Sequence, residues 1–193
     1  MKILNIFFLI PLLLVSFESV SEELRKHVIT PKLGTYKMDK ANTGGHMFDT
    51  SSNAVSGFEY ERRFTSGLTI GAEHLHFKNA IINSSSRASE LKVDIAFFNS
   101  KYYFNYNKGS SWLPFVGLGA GYVFASTNTQ NNIDGPALQA FAGITYEWNR
   151  VGVSLQYRYV DAQIETSYRY FGVIGEEYDI SGKGFSIGVN VKL

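Results

Sequence analysis

The chain has 193 residues, carries 18 Lys and Arg against 17 Asp and Glu, and contains no cysteine. That length suits one domain or one closed barrel. The near-neutral balance gives no basic field for nucleic acid, and the missing thiols exclude disulfides, thiolate metal sites and a lipidated N-terminal Cys.

The opening stretch MKILNIFFLIPLLLVSFESVSEE has three parts. Lys2 supplies a positive start, Ile3 to Phe17 an apolar core, and Ser19 with Ser21 the small residues that precede a cut before Glu22. Residues 1–21 therefore read as a signal peptide and 22–193 as the mature domain. No later run reaches the roughly twenty apolar residues of a transmembrane helix.

From Glu22 onward the hydrophobic period is two rather than 3.6. Eight segments alternate in this way. They run Val28 to Met38, Ala54 to Arg62, Gly67 to Phe77, Leu91 to Tyr106, Leu113 to Ala125, Ala137 to Trp148, Val151 to Asp161 and Tyr178 to Leu193. The connections at Arg63 to Ser66, Asn107 to Trp112 and Asn149 to Arg150 are short. Those at Asp39 to Asn53, Lys78 to Glu90, Ser126 to Pro136 and Ala162 to Glu177 are long and polar. All long connections fall at one end, which an up-and-down outer-membrane barrel requires and a soluble sandwich does not. The expectation is an all-β, eight-stranded, antiparallel up-and-down transmembrane β-barrel.

Alternate residues of a strand face opposite ways. In the seventh segment Val153, Leu155, Tyr157 and Tyr159 oppose Ser154, Gln156 and Arg158. In the fifth, Val116, Leu118, Ala120, Tyr122 and Phe124 oppose Phe115 and the glycines at 117, 119 and 121. Glycines lining a narrow lumen make room for large side chains, since eight strands leave an interior that side chains just fill. The apolar faces are therefore expected outside, in lipid. Two aromatic girdles support this: Tyr60, Phe64, Tyr102, Phe104, Tyr106, Trp112, Tyr146 and Trp148 at the short-turn end, and Tyr122, Phe124, Tyr157 and Tyr159 near the other.

Four stretches, PFVGLGAGYVF from Pro114, QAFAGITYEW from Gln139, LQYRYVDA from Leu155 and FSIGVNVKL from Phe185, resemble the small outer-membrane β-barrels of Gram-negative bacteria related to the OmpA transmembrane domain and the opacity-type surface proteins. The resemblance implies an outer-membrane location after signal cleavage. It also implies outer-membrane lipid as the surrounding partner, with periplasmic chaperones and the barrel-assembly machinery on the way. Such chains end in an aromatic residue that this machinery reads. Leu193 stands there instead, which implies less efficient recognition, and no periplasmic peptidoglycan-binding domain is expected after it.

By parity Glu59, Glu73, Asn99, Lys101, Gln139, Glu147, Gln156 and Arg158 face inward. Enclosed charges must pair, so a polar network plugging the lumen is expected. Glu73 and Lys101, on neighbouring strands, are its predicted pair, with Arg158 reaching in from the opposite wall. His74 and His76 share an outer face, and with Asp94 on the next strand they form the one metal-ligand pattern worth weighing. Interfacial imidazoles are the better reading. Ser100, Ser154 and Ser186 have no His at a matching depth, so no catalytic, cofactor or metal residues are assigned. The loops carry the functional expectation. Tyr168, Arg169, Tyr170 and Phe171 mix exposed aromatics with charge, a composition that suits binding to a host or envelope surface ligand. The sequence thus points to a structural or surface-interaction barrel. A narrow channel for small or apolar solutes is the runner-up, and a lipid-modifying enzyme the weakest reading.

Overall fold

Eight long strands form a closed antiparallel ring. They are β1 (Lys26–Met38), β2 (Asn53–Arg63), β3 (Leu68–Ile82), β4 (Ala88–Tyr103), β5 (Trp112–Thr127), β6 (Asn132–Trp148), β7 (Val151–Glu165) and β8 (Gly182–Lys192). Each pairs with the next, and β8 closes onto β1. The structure is a computed structural model that describes residues 26–39, 41–43, 46–48, 52–82, 88–127, 132–165 and 177–193.

The register fixes the barrel's shape. Stepping sideways from Ile144 leads through Leu155, Ile187, Leu33, Ser56, His76, Asp94 and Phe124 back to β6 at Asp134. The ladder thus returns ten residues from its start, 144 against 134. With strands about 4.8 Å apart and rising about 3.3 Å per residue, that stagger tilts them by about 40°.

Three short turns lie at one end. Residues that tolerate the left-handed region make the reversals there: Gly67 at φ +84°, Asn105 at +61°, Gly109 at +65° and Asn149 at +53°. Asn105 ends the fourth strand at Tyr103 rather than at Tyr106, which belongs to the turn. At the other end β3 to β7 run further than their hydrophobic alternation foretold. The last expected strand divides in two. Glu177–Asp179 pairs with β7, and after a break at Ile180 and Ser181, where Ser181 Oγ accepts from the Ala162 N–H, β8 begins.

β3, β4 and β7 change sides once along their length. Towards the short turns the outer face is apolar and the lumen polar, whereas towards the long loops this is reversed. On β3 Leu68, Ile70 and Ala72 face out below His74, His76 and Lys78, while Thr69 and Glu73 face in below Leu75 and Phe77. On β4 Phe98 and Ala96 give way outside to Asp94 and Lys92, and Lys101 and Asn99 give way inside to Phe97, Ile95 and Val93. β7 turns from Tyr159 to Asp161 outside and from Arg158 to Val160 inside. The lower part is solvated by acyl chains, and the upper part is built as a soluble barrel. The ten steps from Trp148 to Leu138 on β6 measure about 25 Å along the tilted axis, the height of an outer-membrane apolar band. The expected orientation holds. Leu118 is 68% and Leu155 49% exposed on the convex wall, and Arg158 lies inside.

Candidate functional site

Among the described residues, most of the buried charged groups converge in the lumen. Its lower part is crossed by an unbroken chain of alternating charge. Arg158 Nη2 lies 2.7 Å from Glu73 Oε1, and Lys32 Nζ lies 2.8 Å from the same oxygen and 2.6 Å from Glu59 Oε2. Lys101 Nζ joins Glu59 at 3.1 Å to Glu61 at 2.8 Å. Arg63 Nε meets Glu61 Oε1 at 2.5 Å and its Nη1 meets Glu147, whose other oxygen is 2.6 Å from Lys192 at the short-turn mouth. Five cations thus alternate with four carboxylates, so no carboxylate is buried alone.

Glu73 is the hub. Besides its two cations, its Oε2 accepts from Asn99 Nδ2 at 3.1 Å and from Gln139 Nε2 at 2.9 Å. Gln139 Oε1 in turn accepts from Arg158 at 3.2 Å, and Gln156 Oε1 from Lys32 at 3.0 Å. The structure therefore brings Glu59, Glu73, Asn99, Lys101, Gln139, Glu147, Gln156 and Arg158 into one connected set. It does not form the predicted Glu73–Lys101 pair. Lys101 stands opposite Thr69 and Glu73 opposite Phe97, an offset of four residues, or about 13 Å, so Lys101 turns to β2 instead. Sequence reading missed Lys32, Glu61, Arg63 and Lys192. The signal was present, because Glu59, Glu61 and Arg63 share one parity on a single strand.

Beside this chain lies an aromatic collar of Tyr103, Phe115 and Phe141 with Leu113. Lys101 Nζ sits 4.9 Å from the Phe115 ring centre, and Arg63 Cζ 4.5 Å from that of Tyr103, so the cations are held by π-faces as well as by carboxylates. The glycines explain the fit. Phe141 lies over its neighbour Gly117, and Phe115 over Gly143. The space is filled from the adjacent strand rather than from across the lumen. Tyr106 packs on this collar and so leaves the expected lipid girdle, its burial raising the phenol above its ordinary pKa.

Above the charges the lumen is predominantly apolar, with the Tyr36 hydroxyl donating to the Ile180 carbonyl at 3.0 Å. Leu75, Phe77, Leu91, Phe97, Ala125, Ala137, Ala162 and Ile180 pack around Val93, Ile95, Val123 and Val160, all four of the last at 0% exposure. The expectation of a polar interior thus holds only for the lower part. The upper storey is a dry core, because those strand ends stand above the lipid and follow the soluble rule.

On the outer wall Asp94 Oδ1 lies 3.0 Å from both His74 Nε2 and His76 Nδ1. Among the described residues no group of three His, Asp or Glu is arranged to hold a metal ion. Ser56, which sequence reading passed over, stands opposite His76 in register, but no hydrogen bond joins the two among the described contacts. The loop candidates Tyr168, Arg169, Tyr170 and Phe171 lie outside the described residues.

A closed, tilted eight-strand ring, oily outside over a bilayer's height and charged within, defines a transmembrane β-barrel of the outer-membrane type. Solved structures agree on the fold. The chain is similar to the outer membrane protein OprG of Pseudomonas aeruginosa, with a TM-score of 0.68 and 15% identity over 88% of this chain and 96% of that one. Neisserial surface protein A gives a TM-score of 0.64 and 17% identity over 86% and 97%. The N-terminal barrel domain of Pseudomonas aeruginosa OprF gives 0.50 and 12% over 85% and 96%. The sequence matches no family model and no curated protein.

Proposed function

We propose that this protein is a closed outer-membrane barrel whose role is to hold four long loops at the cell surface for interaction with a host or envelope ligand. The observation that carries this reading is the packing of the lumen, with a dry apolar storey stacked on a fully paired ionic one. A solute would have to displace both, and the energetics of the two are unrelated. The protruding upper barrel, polar outside, adds a rigid pedestal for loops. One of the similar folds is itself named a surface protein, which accords with this reading. Lipid solvates the lower wall, and periplasmic chaperones with the barrel-assembly machinery bring the chain there after removal of residues 1–21. No catalytic step is assigned.

Two measurements test it. Planar-bilayer recording of the purified chain is expected to show no steady conductance, and a large, stable open level would instead establish the narrow-channel reading. Deleting Tyr168 to Ile174 is expected to weaken binding of whole cells to surface ligands while heat-modifiable gel migration is retained. Unchanged binding would remove that loop from the role.

A further inference from the structure

The two ends of the barrel carry different charge. At the loop end both signs mix on the outer surface: Lys37, Asp39, Lys92, Asp94, Asp134, Asp161 and Lys183. At the short-turn end, among the described residues, the charged side chains left outside the lumen are cationic: Arg62, Lys108 and Arg150. The acids of that end, Glu61 and Glu147, are turned inward and paired. Lys108 and Arg150 sit in turns, where water suffices. Arg62 does not. It lies on the lipid-facing parity of β2, between Tyr60 and Phe64, with His27 opposite it on one side and Ile70 on the other. Its guanidinium carbon leans 5.9 Å from the Phe64 ring centre, towards the periplasmic edge, and its Nε is buried without an acceptor. His27 cannot serve as that acceptor through Nδ1, which is engaged with the Tyr60 hydroxyl at 2.5 Å.

We propose that Arg62 seats the phosphate of an anionic glycerophospholipid from the periplasmic leaflet. A guanidinium is a planar fork matched to phosphate oxygens. Inside an aromatic girdle, where little water competes, such a contact is stronger than at an open surface. The position selects the occupant. Arg62 is reached sideways through the girdle, so a headgroup at that depth can approach it, whereas a polymer lying beneath the membrane meets Lys108 and Arg150 first. The charge of Arg62 then favours an anionic headgroup over a zwitterionic one by roughly fivefold, and salt weakens that preference.

The test uses the full mature chain in nanodiscs of equal phosphatidylglycerol and phosphatidylcholine, released for native mass spectrometry, with heat-modifiable migration as the folding control. One retained phosphatidylglycerol per barrel is expected, favoured about fivefold over phosphatidylcholine. Arg62→Gln is expected to abolish that retention, and Arg62→Lys, which keeps the charge but loses the fork, to reduce it. Lys108→Gln combined with Arg150→Gln is expected to leave it in place. Equal retention of both lipids by the unaltered chain overturns the proposal and does not depend on any variant folding. Retention that survives Arg62→Gln, or that is lost only in the Lys108/Arg150 pair, overturns it too. So does Arg62-dependent cosedimentation with purified peptidoglycan sacculi without a change in lipid retention, since it assigns the residue to the polymer.

Discussion

Arg158 on β7 donates to Glu73 on β3 at 2.7 Å, although these two strands stand opposite each other in the ring of eight. The contact therefore bridges the lumen from wall to wall. Lys32 approaches the same carboxylate oxygen from β1, so three walls are tied at one point.

Glu73→Ala leaves Lys32 and Arg158 sharing a buried site with less negative charge. Removing one partner of a buried pair costs about 3–5 kcal/mol. Urea-induced unfolding from lipid vesicles is expected to show a loss of this size. Glu73→Gln, which keeps the Asn99 and Gln139 contacts but not the charge, is expected to lose somewhat less. A change below about 1 kcal/mol in both variants would mean that water already solvates these cations, because exposed pairs are worth no more than that.

The eight strands, their inward parity and the sense of the barrel were legible in the sequence because period two and loop length are local properties. The pairing of Glu73 was not. Which residue stands beside it depends on the ten-residue stagger of the closed ring, a quantity that no single strand encodes. The dry upper storey was missed for another reason. The expected lumen was polar throughout, as for a strand wholly within lipid, yet Leu75 and Phe77 already share a parity with Glu73. That abrupt change of character along one face marks where the strand leaves the membrane.

The two storeys respond to different substitutions. Ile95→Ala removes a fully buried side chain from the upper core and is expected to cost about 2–5 kcal/mol, read as a lower urea midpoint. Single-channel traces should stay closed, since the ionic chain beneath is untouched. If Ile95→Ala alone opens a steady conductance, the apolar storey is the whole barrier and the charges serve stability only.

Lipid-facing and lumen-facing changes can be compared on adjacent residues of β7. Leu155→Arg places a charge in the apolar band and is expected to cost about 2–4 kcal/mol. Ser154→Arg is a poor lumen control, because Ser154 is buried against Asn190, with its hydroxyl 2.8 Å from where a Cβ on Gly188 would lie. It is expected to fail by overpacking. Ser154→Ala is the informative lumen control. It loses one side-chain hydrogen bond, about 1 kcal/mol, and should unfold well after Leu155→Arg in the same urea series.

Gly117 tests whether the aromatic collar needs its glycines. A Cβ there would lie 2.3 Å from Phe141 Cε2 and 2.8 Å from the Ser100 carbonyl oxygen. The ring can swing aside, but only by leaving Lys101, whose Nζ is 5.8 Å from its centre; the carbonyl, fixed in the β4–β5 ladder, cannot. Gly117→Ala is therefore expected to destabilise by about 1–3 kcal/mol, the usual range for overpacking. Phe141→Leu in the same chain relieves the ring clash but not the backbone one. The double variant should regain part of the loss, with a coupling of about 0.5–3 kcal/mol between the two sites. Strict additivity in a double-mutant cycle would show that Phe141 does not rest on Gly117, and the collar would then need another account.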